Sequence, residues 1–142
     1  MIYFVDASAL VKRYVREPGT DGVRSLFSRG KKLAAARITA VEVPAALARR
    51  ARAGDLDERL AVKQAARVAA DLANMYVVEL RREVVRLANE LVWRHALRAY
   101  DAVQLGSALH LKGATGVSLT FVCADRTLAD AADGEGVRVL YT

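Results

Sequence analysis

Cysteine and histidine are almost absent from this sequence. Among 142 residues it contains one cysteine, Cys123, and two histidines, His95 and His110. A single cysteine excludes a disulfide within the chain, and it fits a reducing cytoplasm, where we expect the protein to act. The two histidines lie in different segments without metal-ligand spacing, which argues against a zinc site built from cysteine and histidine.

Long apolar runs and aromatic residues are also scarce. Lys112 interrupts the only extended stretch of low charge, residues 102–124, and no signal sequence is readable after Met1, so we expect no membrane partner. Aromatic residues make up 6% of the chain, which is few for a protein that binds RNA by stacking bases on aromatic platforms. A noncatalytic RNA-binding module therefore stays only as an alternative.

What the sequence does contain is a large apolar fraction and an excess of positive charge. Its 54% apolar content, at this length, suffices for the core of one domain covering residues 1–142. The 22 Lys and Arg residues outnumber the 16 Asp and Glu residues, which gives a net charge of +6. A basic surface suits a polyanionic ligand such as nucleic acid, although such a charge also serves solubility alone.

Short apolar runs alternate with segments of helical period along the whole chain. This alternation predicts an α/β fold with a mostly parallel five-stranded sheet covered by helices on both faces, because strands separated by helices cannot pair as hairpins. A long helix is predicted from residue 98 to residue 111, ended by Gly113. The predicted strands are residues 2–5, 33–38, 76–80, 119–124 and 137–141.

Four acidic residues stand where a strand ends or a helix begins. Asp6 and Asp125 follow the first and fourth apolar runs, and Glu42 and Asp101 lie near the starts of two predicted helices. Ligands bind at the carboxyl edge of an open α/β sheet, and carboxylates gathered there repel one another unless a cation joins them. The pattern therefore predicts a site for magnesium, with manganese as a substitute, and Ser8 as a hydrogen-bond donor within it.

Each acid also has a purely structural explanation. Asp6 and Asp125 could be helix N-caps, residues 39–42 match a capping box that would engage Glu42, and Arg98 could pair with Asp101 one helical turn away. These explanations are separately plausible, but they do not account for the position of all four acids at element boundaries. The coincidence favours one shared site.

Four motifs, in order along the chain, carry a resemblance to a known family. They are VDASALVK at 5–12, TAVEV at 39–43, RAYDAVQL at 98–105 and FVCAD at 121–125. With these motifs the chain resembles the PIN domain, specifically the VapC toxins of toxin-antitoxin pairs. The resemblance implies a strand order of 3-2-1-4-5, magnesium-dependent ribonuclease activity with 5′-phosphate and 3′-hydroxyl products, a homodimer and a cognate VapB-type antitoxin.

The resemblance also assigns roles to residues of this chain. It makes Asp6 and Asp101 the firmest metal ligands, with Glu42 and Asp125 completing the acidic pocket and Ser8 assisting. Asp130 is the reserve candidate for the fourth acid, because it lies in the same short segment as Asp125. A PIN nuclease of RNA maturation or decay is the alternative to the toxin.

A run of arginines near the end of the third predicted helix is the candidate RNA-binding cluster. Arg49, Arg50 and Arg52 could hold phosphates outside the reacting position. The alternative is a solvated helix end, where cations also suit the helix dipole.

Overall fold

A parallel five-stranded sheet forms the centre of the protein, in a computed structural model that describes residues 1–142. Its order, β3-β2-β1-β4-β5, confirms the predicted fold, and every neighbouring pair is parallel. The strands are β1 Ile2–Val5, β2 Lys32–Ala36, β3 Tyr76–Val78, β4 Leu119–Cys123 and β5 Arg138–Tyr141.

Seven helices connect the strands and cover both faces of the sheet. A short 3₁₀ turn, Val11–Arg13, directly follows the first helix. No helix combines the length and apolar character that a membrane crossing would need. The helices are α1 Ala7–Leu10, α2 Thr20–Leu26, α3 Thr39–Arg52, α4 Glu58–Ala73, α5 Arg82–Arg94, α6 Ala99–Thr115 and α7 Arg126–Gly134.

The two faces of the sheet build two separate cores, because successive strand residues point to opposite sides. Phe4 and Phe121 are paired across β1 and β4 and stack with ring centroids 5.7 Å apart, in the core formed with α5, α6 and α7. Val5 and Val122 follow them in sequence and belong to the opposite core, which includes residues of α1, α3 and α4. The sheet is thus anchored from both sides along its two central strands.

The packing of α6 on α5 depends on a glycine. A Cβ at Gly106 would lie 3.2 Å from the backbone N of Ala88 and 3.2 Å from the backbone O of Val84. Glycine at this position therefore lets the two helices approach until their backbones nearly touch.

Three predicted boundaries were wrong by two residues or more, and the other strand boundaries agree to within one residue. Helix α6 continues through Gly113 and ends at Gly116, which takes the left-handed conformation at φ 65°. A helical glycine costs only about 1 kcal/mol, which a long packed helix tolerates. Strands β2 and β3 end two residues earlier than predicted, at Ala36 and Val78; these residues pair with each other, and the chain after Ala36 turns into α3.

Candidate active site

The carboxyl ends of β1 and β4 place two acids side by side. Val5 pairs with Val122 in the parallel ladder, and the backbone N–H of Asp6 donates to the carbonyl of Val122 at 2.9 Å. Asp6 and Asp125 follow these neighbouring strand ends and begin α1 and α7. The topology therefore brings together two residues that are far apart in sequence.

Asp6 is held firmly at the base of the site. Its side chain is N-cap of α1 and accepts a hydrogen bond from the backbone N–H of Ser8 at 3.0 Å and another from the Ser8 hydroxyl. The same hydroxyl accepts from the backbone N–H of Ala124 at 2.9 Å. Ser8 thus ties the end of β1 to the end of β4 and fixes the carboxylate of Asp6.

Asp125 and Asp101 approach from two helix starts. Asp125 caps α7 by accepting from the backbone N–H of Leu128 at 2.9 Å. Asp101 lies in the first turn of α6 and contacts Arg98 at 3.5 Å, but the Arg98 side chain is 86% exposed. Water screens a pair of this kind, so Arg98 neutralises Asp101 only weakly.

Glu42 does not form the capping box that its sequence context permits. Helix α3 already includes Thr39, and its N-cap, Ile38, makes no side-chain capping bond. The Glu42 carboxylate instead accepts a hydrogen bond of 2.8 Å from the side-chain amide of Gln104, on α6.

All four acids line one cavity of about 430 Å³. Its cationic side chains are Lys12, Arg49 and Arg98, so acids and positive groups line the same cavity. The full lining is Asp6, Ala7, Ser8, Val11, Lys12, Glu17, Glu42, Ala46, Arg49, Arg98, Asp101, Ala124 and Asp125.

A second, wider cavity of about 820 Å³ adjoins the acidic one. The two share Glu42, Asp101, Arg49 and Arg98. The wider cavity adds apolar surface, including Tyr100, which is 66% exposed. An elongated ligand could therefore reach the acids while an apolar part of it lies against Tyr100.

Three carboxyl groups of the cavity, those of Asp6, Glu42 and Asp101, have pKa values raised above their ordinary range. Burial raises the pKa of Asp6 to about 7, from an ordinary 3.8, against the lowering effect of the Ser8 hydrogen bonds, and the charges of Glu42 and Asp101 raise it further. Burial also raises the pKa of Glu42 and of Asp101, and each is raised further by a neighbouring acid, Asp101 and Asp125 respectively. The acids therefore repel one another, and the protein's own cations do not fully compensate their charge.

The donor set fits a hard divalent cation. No three carboxylate, imidazole or thiolate groups are already arranged around one point as ligands of an ion. The cavity nevertheless offers five carboxylates, of which Glu17 is paired with Arg50, and no cysteine or histidine lines it. Oxygen donors of this kind suit magnesium or manganese, and a bound cation would relieve the repulsion that the raised pKa values record.

The other site residues predicted from the sequence do not all lie at the acidic cavity. Of the three arginines, only Arg49 lines the acidic cavity; Arg50 forms an ion pair with Glu17, and Arg52 lines a different cavity between α3 and α4. Asp130 is exposed on α7 and does not line the acidic cavity. The structure thus places Asp125, and not Asp130, with the other acids.

Sequence reasoning missed two residues that contact the acids or their cavity. Gln104 lies within a recognised motif, but nothing in the local pattern indicates that its amide reaches Glu42. Lys12 lines the cavity while its ammonium donates to the backbone carbonyls of Pro18 and Thr142, each at 2.8 Å. The contacts of Gln104 with Glu42 and of Lys12 with Thr142 join segments distant in sequence, which no short motif encodes.

Comparison with known proteins agrees with this architecture. Residues 3–133 match the family model of the PIN domain. Ribonuclease VapC49 of Mycobacterium tuberculosis is 39% identical over 143 residues, which cover 98% of this chain and 94% of the relative.

Two solved structures share the fold at lower identity. The VapC20 toxin of Mycobacterium tuberculosis, described as cleaving the sarcin-ricin loop, has a TM-score of 0.67 at 19% identity and covers 91% of this chain and 94% of its own. A toxin-antitoxin complex from Klebsiella pneumoniae has a TM-score of 0.65 at 14% identity, with coverages of 89% and 90%. The family match spans most of the sequence, and we conclude that this chain belongs to the PIN domain family.

Proposed function

We propose that this protein is a metal-dependent endoribonuclease, the toxin of a VapBC-type toxin-antitoxin pair. The observation that carries the proposal is the convergence of four acids, from four different elements, in one cavity bordered by cations. The ribonuclease relative of 39% identity, aligned over nearly the whole chain, supports RNA as the substrate. Family membership supports a divalent metal as the cofactor, and the oxygen donors favour magnesium, with manganese as a substitute.

Each acid has a separate part in the proposed site. Asp6 and Asp101 would be the principal ligands of the cation, and Glu42 and Asp125 would complete the pocket. Ser8 would keep the Asp6 carboxylate in place through its two hydrogen bonds. When bound, a divalent cation supplies an acidified water and neutralises negative charge that develops on the scissile phosphate.

The positive groups at the cavity would hold the RNA backbone. Arg49 and Arg98 line both cavities, so they could bind phosphates on either side of the one that reacts. A base of the single strand could lie against Tyr100 in the wider cavity. Water would attack the phosphorus in line and the bond to the 3′-oxygen would break, which leaves a 5′-phosphate and a 3′-hydroxyl.

The proposed partners follow from the toxin assignment. A VapB-type antitoxin would neutralise the protein, as the shared fold with a toxin-antitoxin complex suggests. We also propose a homodimer that acts in the cytoplasm.

Cleavage of a mixed cellular RNA pool tests this function. The wild-type protein should cut RNA with magnesium or manganese and stop when the metal is chelated. Asp101→Asn should lower the rate by about 100-fold or more, because it removes a charged ligand from the site. Asp55→Asn is the matched control, since Asp55 is exposed and lies outside the cavity. Wild-type cleavage by Asp101→Asn, with both variants folded, would refute the proposed site.

A further inference from the structure

Gln104 is a fully buried amide that joins α6 to the start of α3. Its Nε2 donates to the hydroxyl oxygen of Thr39 at 2.9 Å and to the carboxylate of Glu42 at 2.8 Å. Gln104 and Thr39 are both 0% exposed, so water does not compete for either group. One side chain in the core therefore reaches an acid of the cavity.

The orientation of this amide leaves its oxygen without a partner. An ionised carboxylate can only accept hydrogen bonds, so Nε2 must face Glu42 and Oε1 must point elsewhere. Oε1 of Gln104 is the one buried side-chain nitrogen or oxygen in the structure that has no hydrogen-bond partner. Such an orphaned acceptor destabilises the fold, and an apolar side chain of equal length would avoid the cost. Stability alone therefore does not explain an amide at this position.

No other hydrogen bond or ion pair holds the side chain of Glu42 in place. The other three acids each have a contact of their own: Asp6 with Ser8, Asp125 with the backbone of Leu128, and Asp101 with Arg98. The amide of Gln104 is the only hydrogen-bond or ion-pair partner of the Glu42 side chain. Without it, the long and half-buried side chain of Glu42 would be free to change rotamer and leave the cavity.

We propose that Gln104 is a positioning residue that fixes the Glu42 carboxylate in the acidic cavity, with Thr39 anchoring the amide. The inference rests on the proposed nuclease function, because it assigns Glu42 a task there. Gln104 itself does not contact the reacting atoms; it acts only through Glu42.

Gln104→Met is the main test, because methionine keeps the length of the side chain and removes both the donor and the orphaned acceptor. Measured by urea unfolding without metal, its stability should stay close to that of the wild type, because removal of the orphaned oxygen offsets the lost bond to the Thr39 hydroxyl. On an RNA oligonucleotide spanning a mapped cleavage site, kcat should fall by about 10- to 100-fold, the usual effect of losing a group that orients a ligand. KM should change by less than about threefold, since Gln104 does not touch the substrate.

Ser107→Ala is the matched control on the same helix. The Ser107 hydroxyl is buried and donates to the carbonyl of Val103 at 2.7 Å, away from Glu42. Its loss should leave kcat unchanged. A Gln104→Met variant with wild-type kcat and reduced stability would instead show a purely structural residue and overturn the proposal.

A double-mutant cycle separates action through Glu42 from any independent effect. In a Glu42→Gln background, Gln104→Met should lower kcat by less than about twofold further, because the residue it positions is already impaired. A full additional loss would refute positioning of Glu42. Should Gln104→Met fail to fold, Thr39→Val removes the anchor instead, and it should lower kcat by about threefold; no loss in that variant would refute the role of the anchor.

Manganese binding, measured by calorimetry, gives a readout that does not depend on cleavage. Gln104→Met should bind the ion about 10-fold more weakly than the wild type, and Ser107→Ala should bind it equally well. If the wild-type protein binds manganese but cuts no RNA, the proposed function fails while this comparison still tests the positioning role. Equal manganese affinity in Gln104→Met and wild type would count against positioning.

Discussion

Asp6 and Asp125 each cap a helix with only one of their two carboxylate oxygens. Oδ2 of Asp6 accepts both bonds from Ser8, and Oδ1 of Asp125 accepts the bond from Leu128, so each residue caps its helix with one oxygen. The second oxygen of each has no donor in the protein. The helix-cap explanation, which the sequence presented as a rival of the proposed site, therefore does not exclude these residues from that site.

A pair of single-residue variants can identify the fourth acid of the proposed site. Asp125→Asn should lower RNA cleavage by about 100-fold or more while asparagine still caps α7. Asp130→Asn should cleave like the wild type, because Asp130 is exposed outside the cavity. Initial rates on one RNA, with circular dichroism to verify folding, compare the two. If only Asp130→Asn lost activity, Asp130 and not Asp125 would be the fourth acid.

Single residues also show where prediction from sequence stops. The positions of Asp6 and Asp125 after apolar runs are a local signal, and parallel pairing of β1 with β4 turns it into proximity. The partner of Glu42 has no such signal. A capping box was a reasonable reading of residues 39–42, but α3 already includes Thr39, and the Glu42 carboxylate pairs with α6 instead.

Among the elements, α6 combines two glycines with opposite roles. Gly106 faces α5 at backbone distance, whereas a Cβ at Gly113 would meet nothing within 4 Å. Both take ordinary helical conformations, and only the packing differs. The sequence could place the helix, but it could not tell which glycine permits close packing and which is incidental.

Alanine at the two positions should therefore change stability in opposite directions. Gly106→Ala should lower the free energy of unfolding by about 1–2 kcal/mol, because its Cβ would push against backbone atoms of α5 that cannot rotate away. Gly113→Ala should raise it by about 0.5–1 kcal/mol through better helix propensity. Urea denaturation of both variants measures the difference. Stabilisation by Gly106→Ala would mean that α5 and α6 separate easily.

The directions of the arginines on α3 also could not be predicted from the sequence. Arg49 and Arg50 are adjacent in sequence, and neighbours one position apart on a helix do not share a face. Only Arg49 points to the acidic cavity, while Arg50 pairs with Glu17. Strand order and helix positions followed from apolar patterning and family motifs; the direction of each surface arginine required the three-dimensional structure.

For the molecule as a whole, the acidic cavity makes stability depend on pH. The pKa of Asp6 rises from 3.8 in the unfolded chain to about 7 in the fold, so between these values the folded state holds a proton that the unfolded state has released. The stability that Asp6 contributes is therefore fully present below this window and is lost as the pH rises through it. The raised pKa values of Glu42 and Asp101 act in the same direction.

Between about pH 5.5 and about pH 8 the metal-free protein should accordingly lose about 2 kcal/mol of unfolding free energy. In this range the folded state keeps the Asp6 proton up to its pKa of about 7, and each pH unit is worth about 1.36 kcal/mol. Asp6→Asn should flatten this dependence, and magnesium should restore stability at the higher pH while releasing protons. Urea unfolding and calorimetry in two buffers test these outcomes. Equal pH dependence in wild type and Asp6→Asn would exclude Asp6 as its source.

The central position of β1 in the sheet has a consequence for synthesis of the protein. Ile2, near the start of the chain, pairs with Leu119, and Asp125 follows the strand that this pairing completes. A growing chain on the ribosome carries Asp6 and Glu42 long before β4 emerges, yet it cannot close the sheet that unites them with Asp125. A growing chain therefore cannot assemble the acidic cavity until β4 and Asp125 have been translated.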